Sequence, residues 1–249
     1  MMATGTYKLA DVPVQITSLY DEVQTMCDSY RTDEEPQLFI SITEKDIISE
    51  SKKSDEERYR EGLSKYHYPA PYLETLSVYR KLATQLLSHN VLLIHGSVIA
   101  IDGEAYMFTA LSGTGKSTHV RLWRQLFGER AVMINDDKPL IKVRCEEFGV
   151  RSTLVYGTPW DGKHHLSNNI SVPLKAIVYL QRGEENFIEK LTPEEMLPIL
   201  LQQTYRPNTA LGTIKVMQLL DAMSHQVKFY SLHCNMKTEA ARIAYEGMR

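Results

Sequence analysis

Ala110-Leu-Ser-Gly-Thr-Gly-Lys-Ser117 is the stretch on which the reading of this chain turns. Gly113 and Gly115 let the backbone curl tightly enough for several N–H donors to converge on one cluster of anionic oxygens. Lys116 supplies a cation for the outer phosphates, and Ser117 supplies a hydroxyl for a magnesium ion. Ser112, Gly113, Thr114, Gly115, Lys116, Ser117 and Thr118 are therefore the candidate nucleotide-binding residues, with ATP and magnesium as the expected ligands. The common pattern G-x-x-x-x-G-K-[ST] has Ala110 in its first position here, and the flanks supply the missing context. Ala105-Tyr-Met-Phe-Thr109 leads in as a strand, and Ser117 to Phe127 leads out as a helix ended by Gly128.

Downstream, Ala131-Val-Met-Ile134 reads as a short buried strand that stops at Asn135-Asp136-Asp137. An acid returning about twenty residues after the lysine commonly faces the phosphate loop. Two adjacent carboxylates allow two roles, one holding the metal and the other accepting a proton from an attacking hydroxyl. The competing reading is an ordinary Asp-Asp turn ahead of Lys138-Pro139. Upstream, Val91 to Ile94 and Val98 to Ile101 are apolar, and Asp102-Gly103 closes a hairpin onto the strand that enters the loop. Leucines and aromatics at spacings of three and four from Tyr72 to Ser88 predict an amphipathic helix.

Farther on, Leu140 to Arg144, Val150 to Val155 and Ala176 to Leu180 read as strands, and the last third as mostly helical. Thr192-Pro193-Glu194-Glu195 combines an N-cap, a first-turn proline and a capping-box glutamate, predicting about three helical turns before Arg206-Pro207. Residues 1–90 read as an accessory α+β region, with Gln37 to Ile42 its one strong strand signal. Ser49 to Arg58 lacks an apolar stripe and reads as a solvated helix or loop. Residues 91–249 are the expected catalytic domain.

A chain of 249 residues that is 43% hydrophobic can bury a substantial core without disulfides or metals. Its formal charge of −3 argues against general binding to nucleic acid or to an anionic membrane. Cys27, Cys145 and Cys234 form no disulfide framework or zinc knuckle, which fits a reducing cytoplasm. The opening residues lack a targeting pattern, and no apolar run is long enough to span a bilayer, so a cytoplasmic protein is expected.

Gly157-Thr-Pro-Trp-Asp-Gly-Lys-His-His165 has a composition suited to contact, and its Lys163 is a candidate for neutralising developing phosphate charge. His164 and His165 lack a third ligand at zinc spacing. Arg121, Arg124, Arg151 and Arg206 could meet phosphate, although surface ion pairs are the commoner fate of such cations. Trp123, with Leu122, Leu126 and Phe127, is expected in the core. His95 by itself reads as a core histidine.

His95-Gly-Ser-Val-Ile-Ala100, Ser112-Gly-Thr-Gly-Lys-Ser117 and Ile134-Asn-Asp-Asp137, in this order and spacing, resemble the bacterial HPr kinase/phosphorylase family across residues 91–143. The resemblance implies a core like that of phosphoenolpyruvate carboxykinase, with a mixed, strongly curved sheet. It implies transfer of the ATP γ-phosphate to a serine-type hydroxyl on a small molecule, peptide or protein. It assigns Asp136 as the base, His95 to the active-site lining, and Asp137 with Ser117 to the metal. Family members commonly carry an acid after the phosphate-loop serine, where this chain has Thr118-His119, and their accessory region differs, which leaves open whether HPr is an acceptor. Related kinases form rings, which leaves room for a homo-oligomer. Two other readings compete: a nucleotide-binding regulatory or maturation protein without catalysis, and a phosphorylase or ATPase using the same residues.

Overall fold

The computed structural model describes residues 2–60, 62–146 and 149–249. Among them the chain forms two compact units that divide between Gln85 and Leu86, slightly ahead of the boundary expected at residue 90. In the first unit, β1 (Ala3–Leu9) and β2 (Val12–Ser18) form an antiparallel hairpin. Its turn residues Ala10 and Asp11 both have positive φ, the geometry whose twist matches paired strands. These two strands went unread in the sequence. Helix α1 (Asp21–Met26) follows, and β3 (Leu38–Ser41) then adds parallel to β2.

Helices α2 (Glu44–Arg60) and α3 (Ala70–Leu86) complete that unit. The solvated stretch is thus helical, and it is anchored: the buried Glu50 carboxylate accepts from Arg80 Nε at 2.8 Å. Glu74, fully buried on α3, accepts from the Leu19 and Tyr20 amides at 2.6 and 3.0 Å. Those two donors and the pairing of Arg80 with Glu50 satisfy charges that burial would otherwise make costly.

The second unit is built on a mixed sheet. Its strands are β4 (Val91–Leu93), β5 (Ser97–Ile101), β6 (Glu104–Thr109), β7 (Ala131–Asn135), β8 (Leu140–Glu146), β9 (Gly149–Tyr156), β10 (Ser171–Arg182), β11 (Phe187–Leu191) and β12 (Lys228–Cys234). The main path runs β4-β8-β9-β10-β6-β5-β7. The long strand β10 changes partner along its length: Ser171 to Pro173 pair antiparallel with β9, while Ala176 to Arg182 pair parallel with β12. On its other edge β10 runs parallel to β6, and the sheet curls where β10 branches.

Alternation along the strands feeds two cores. Val98, Ala100, Met107 and Ile177 face one side, against α5 (Pro193–Gln203) and α6 (Ala210–Ser224). Ile99, Ile101, Phe108 and Val178 face the other, against α4 (Lys116–Phe127) and α7 (Glu239–Met248). The fold is therefore mixed α/β with helices on both faces. Trp123 is fully buried with Leu122, as expected, whereas Leu126 is exposed on the outer face of α4. The last third is less helical than expected, because β11 and β12 lie in it. α5 begins with the predicted capping box, Thr192 Oγ1 accepting from the Glu195 amide and the Glu195 carboxylate from the Thr192 amide.

Candidate active site

Strand register brings the three sequence motifs together. β5 runs antiparallel to both β6 and β7, so the start of β5 lies beside the ends of its two neighbours. His95, Gly96 and Ser97 therefore meet Thr109 and Ala110 on one side and Asn135, Asp136 and Asp137 on the other. The Gly96 amide donates to the Asp137 carbonyl at 3.0 Å, and Thr109 Oγ1 to the His95 carbonyl at 2.9 Å. Gly96 is required there, since a Cβ would stand 2.9 Å from the Phe108 carbonyl oxygen.

The phosphate loop has the conformation its glycines predict, with φ of +75° at Gly113 and +122° at Gly115. Gly115 caps α4 without any side-chain acceptor, and the first turn of α4 contains no acid. Its leading amides and positive dipole end are left for an external anion. Lys116 is buried, with Nζ donating to the Ala110 carbonyl at 3.2 Å across the mouth of the loop. Burial pulls its ammonium below the ordinary lysine range, Asp137 and Asp136 opposing and Lys138 adding to the shift.

The two aspartates have different neighbours. Asp136 accepts from Ser97 Oγ at 2.6 Å, and the Ser117 hydroxyl is near enough to favour its ionised form. Burial raises its carboxyl above the usual range, with the two serine hydroxyls and His164 pulling it back. Asp137 is more open, with Oδ1 3.3 Å from His95 Nε2 and Oδ2 accepting from Lys138 Nζ at 2.9 Å. Ser117, expected to share a metal with Asp137, thus stands with Asp136.

His95 is held by its ring and by its backbone. Nδ1 lies 3.1 Å from Gln203 Oε1, and the His95 amide donates to the Gln203 carbonyl at 2.8 Å. Burial, with Lys116 and Lys138 nearby, depresses the imidazole to about 4 against the pull of Asp137, so the ring is neutral at neutral pH. Gln203 Oε1 can only accept, so the neutral ring carries its proton on Nδ1, and the Nε2 lone pair faces Asp137.

The turn that carries the aspartates is braced by Asn135, which is fully buried. Its Oδ1 accepts from the Asp137 and Lys138 amides at 2.9 and 2.7 Å, and its Nδ2 donates to the Thr158 carbonyl and hydroxyl, each at 3.0 Å. Asn135, Gln203 and Ser97 were not singled out in the sequence for these roles. An Asn immediately before a carboxylate pair was the one available signal, since such side chains bond the backbone two residues on.

The loop from Gly157 to His165 lies over this turn, where a Cβ on Gly162 would meet Asp137 Cβ at 3.2 Å. Much of the loop is packed instead of free for contact. Trp160 is buried with its carbonyl accepting from the Lys138 amide, and buried Asp161 accepts from Ser167 Oγ at 2.8 Å. Lys163 is exposed, and it is His164 that bears electrostatically on Asp136. Among the described residues no His, Cys, Asp and Glu group forms a ready metal cage. Arg121, Arg124 and Arg206 are exposed, and the Arg151 side chain lies outside the described residues.

Fold and site together define a mixed α/β protein with a strand–P-loop–helix unit and a carboxylate pair at the loop. The chain belongs to the family described as SynChlorMet cassette protein ScmC, whose model matches residues 72–239, more than half of the sequence. The motif order had resembled HPr kinase/phosphorylase, but the family shown is ScmC. Among solved structures the chain is similar to the Hpr(Ser) kinase/phosphatase from Coxiella burnetii. That match has 9% identity and a TM-score of 0.34 over 62% of this chain and 95% of that chain. No curated protein matches the sequence. No helix among the described residues is long and apolar enough to cross a membrane.

Proposed function

We propose that the protein is an ATP- and magnesium-dependent phosphotransferase that moves the γ-phosphate to a hydroxyl, of serine type, on a small molecule, peptide or protein. The observation that carries this reading is the meeting of Ser117, Asp136 and Ser97 beside Lys116, with the His95–Asp137 pair next to them. A bare phosphate-binding turn has no need of a buried carboxylate at its serine or of a histidine–aspartate pair next to it.

The uncapped start of α4 and the curled loop would bind the triphosphate. Lys116, now on the Ala110 carbonyl, would exchange that acceptor for a phosphate oxygen. Ser117 and Asp136 offer a hydroxyl and a carboxylate, hard oxygen donors of the kind magnesium takes alongside substrate phosphates. When bound there, magnesium would supply charge neutralisation on the β- and γ-phosphate oxygens. Asp137 would accept the proton of the attacking hydroxyl, beside His95, which Gln203 fixes in place through Nδ1. Lys138 would hold the other oxygen of Asp137 by their ion pair.

This division reverses the expected one, in which Asp136 is the base and Asp137 the metal ligand. The raised carboxyl of Asp136 favours the expected assignment, and the nearness of Ser117 to Asp136 favours the reversed one. One experiment separates them: magnesium and ATP binding, and transfer from γ-labelled ATP to free serine, serine peptides and a lysate, compared for wild type, Asp136→Asn and Asp137→Asn. The reading expects Asp136→Asn to weaken magnesium-dependent ATP binding, and Asp137→Asn to abolish transfer while leaving binding intact. The opposite pattern restores Asp136 as the base. Tight ATP binding with no label moved by wild type would favour a binding protein without catalysis, and label released only as phosphate an ATPase.

A further inference from the structure

Thr109, the last residue of β6, pairs with Tyr179 on β10, and β10 continues three residues beyond that point. Its final residue, Arg182, is thereby carried alongside the phosphate loop. Its backbone is pinned there by pairing with Cys234, and the next amide, that of Gly183, donates to the Cys234 carbonyl at 3.1 Å. The guanidinium reaches back over the loop, with Nη2 donating to the Gly113 carbonyl at 2.6 Å and Nε to the Thr114 carbonyl at 3.3 Å.

A trans peptide points its C=O and N–H to opposite sides. A fork that holds the carbonyls of Gly113 and Thr114 therefore turns the Thr114 and Gly115 N–H groups away from itself. The Thr114 amide closes the turn onto the Leu111 carbonyl at 3.2 Å, and the Gly115 amide continues the row that leads into the start of α4. Glycines with positive φ at 113 and 115 have many alternative conformations, so an external brace on the two intervening carbonyls has a specific effect. It fixes the loop in its anion-accepting form before ligand arrives.

We infer that Arg182 is a positioning residue for nucleotide binding, acting through the loop carbonyls and not by touching phosphate. The inference rests on the phosphotransferase reading only in requiring that the loop bind nucleotide. Lysine cannot replace it, because one ammonium lacks the planar fork that spans two carbonyls.

The test compares wild type, Arg182→Ala and Arg182→Lys for ATP and ADP dissociation constants by calorimetry with magnesium, with thermal unfolding in the absence of nucleotide as the control for folding. Both variants are expected to lose about tenfold in affinity, by the same factor for ATP and ADP, with the unliganded melting temperature unchanged, as for a surface side chain. Three results overturn the inference: unchanged affinity in Arg182→Ala, full affinity in Arg182→Lys, or a loss confined to ATP, which would mean direct contact with the γ-phosphate. Failure of wild type to bind either nucleotide would instead remove the functional reading itself, and the inference with it.

Discussion

Ser97 Oγ donates to Asp136 Oδ1 at 2.6 Å, joining the first residue of β5 to the residue that follows β7. That contact and the Ser117 hydroxyl favour the ionised carboxylate, yet burial outweighs them and holds the group above its ordinary range. A carboxyl with a higher pKa folded than unfolded leaves the fold's stability complete below the unfolded value. As pH rises through the folded value, that stability is lost. Asp136→Asn keeps an oxygen for Ser97 and carries no charge. It is expected to raise the melting temperature at neutral pH without magnesium, while weakening magnesium-dependent ATP binding. A lower melting temperature would show that the carboxylate stabilises the empty site. A gain in stability on removing a site charge is the usual trade between stability and function.

His119 gives the opposite pH dependence from a purely structural position. It is 2% exposed on α4, its Nε2 accepts from Trp123 Nε1 at 3.0 Å, and its ring packs edge-on against Phe108 at 4.6 Å. The proton then sits on Nδ1, which is buried without a hydrogen-bond partner. Burial depresses this imidazole to about 3. With the folded value below the unfolded one, stability is complete above the unfolded value of about 6.5 and falls as pH drops from there toward 3. The loss is on the order of a few kcal/mol. His119→Phe is expected to flatten that part of the acid unfolding curve, and denaturant titrations at pH 7, 5.5 and 4.5 would show it. His95 acts in the same direction, so the flattening is partial.

What the sequence made legible was local. The P-loop, its flanking strand and helix, the Asp102-Gly103 hairpin and the capping box at Thr192 each rest on residues within one or two turns of one another. What escaped depended on distant partners. The β1–β2 hairpin turns on Ala10-Asp11 without the glycine that usually marks such a turn. β12 lies between β10 and β11, and its buried run Phe229-Tyr-Ser-Leu232 shows none of the alternation of a one-sided strand. The two aspartates are chemically identical neighbours, and only the register of β5 against β7 gives Ser97 to one of them. Gln203 and Arg182 reach the site from far along the chain, which local patterning does not report.

Gly157 tests whether the loop over the site is fixed by backbone contact. A Cβ there would collide with the Asn168 carbonyl oxygen and stand 2.6 Å from that of Ile134. Neither can retreat easily, since the Ile134 carbonyl accepts from the Asn168 amide and Asn168 Nδ2 donates to the Met133 carbonyl at 2.7 Å. Gly157→Ala is expected to cost about 3 kcal/mol or more, as overpacking against rigid backbone does. Gly103→Ala meets only open space, and its φ of +83° makes it a strain control costing about 1 kcal/mol. Chemical denaturation of the two variants makes the comparison, and equal costs would mean that the Gly157 contact relaxes freely.

Asn135 is the residue on which the geometry of the carboxylate pair depends. Truncation to alanine removes the acceptor of two amides and the donor to Thr158 inside a buried site, with an expected destabilisation of about 3 kcal/mol. Its consequence for function differs from that of a phosphate-loop variant. Lys116 and the start of α4 keep their own supports, so ATP affinity in Asn135→Ala is expected to stay within about twofold of wild type. Phosphate transfer, which needs Asp137 and His95 in register with the acceptor, is expected to fall about a hundredfold, as small misplacements of reacting groups do. Measuring both on the same preparation, below its melting transition, separates the two effects. If affinity and transfer fall together, the turn and the loop form a single cooperative unit, and Asn135 supports nucleotide binding as well as the aspartates.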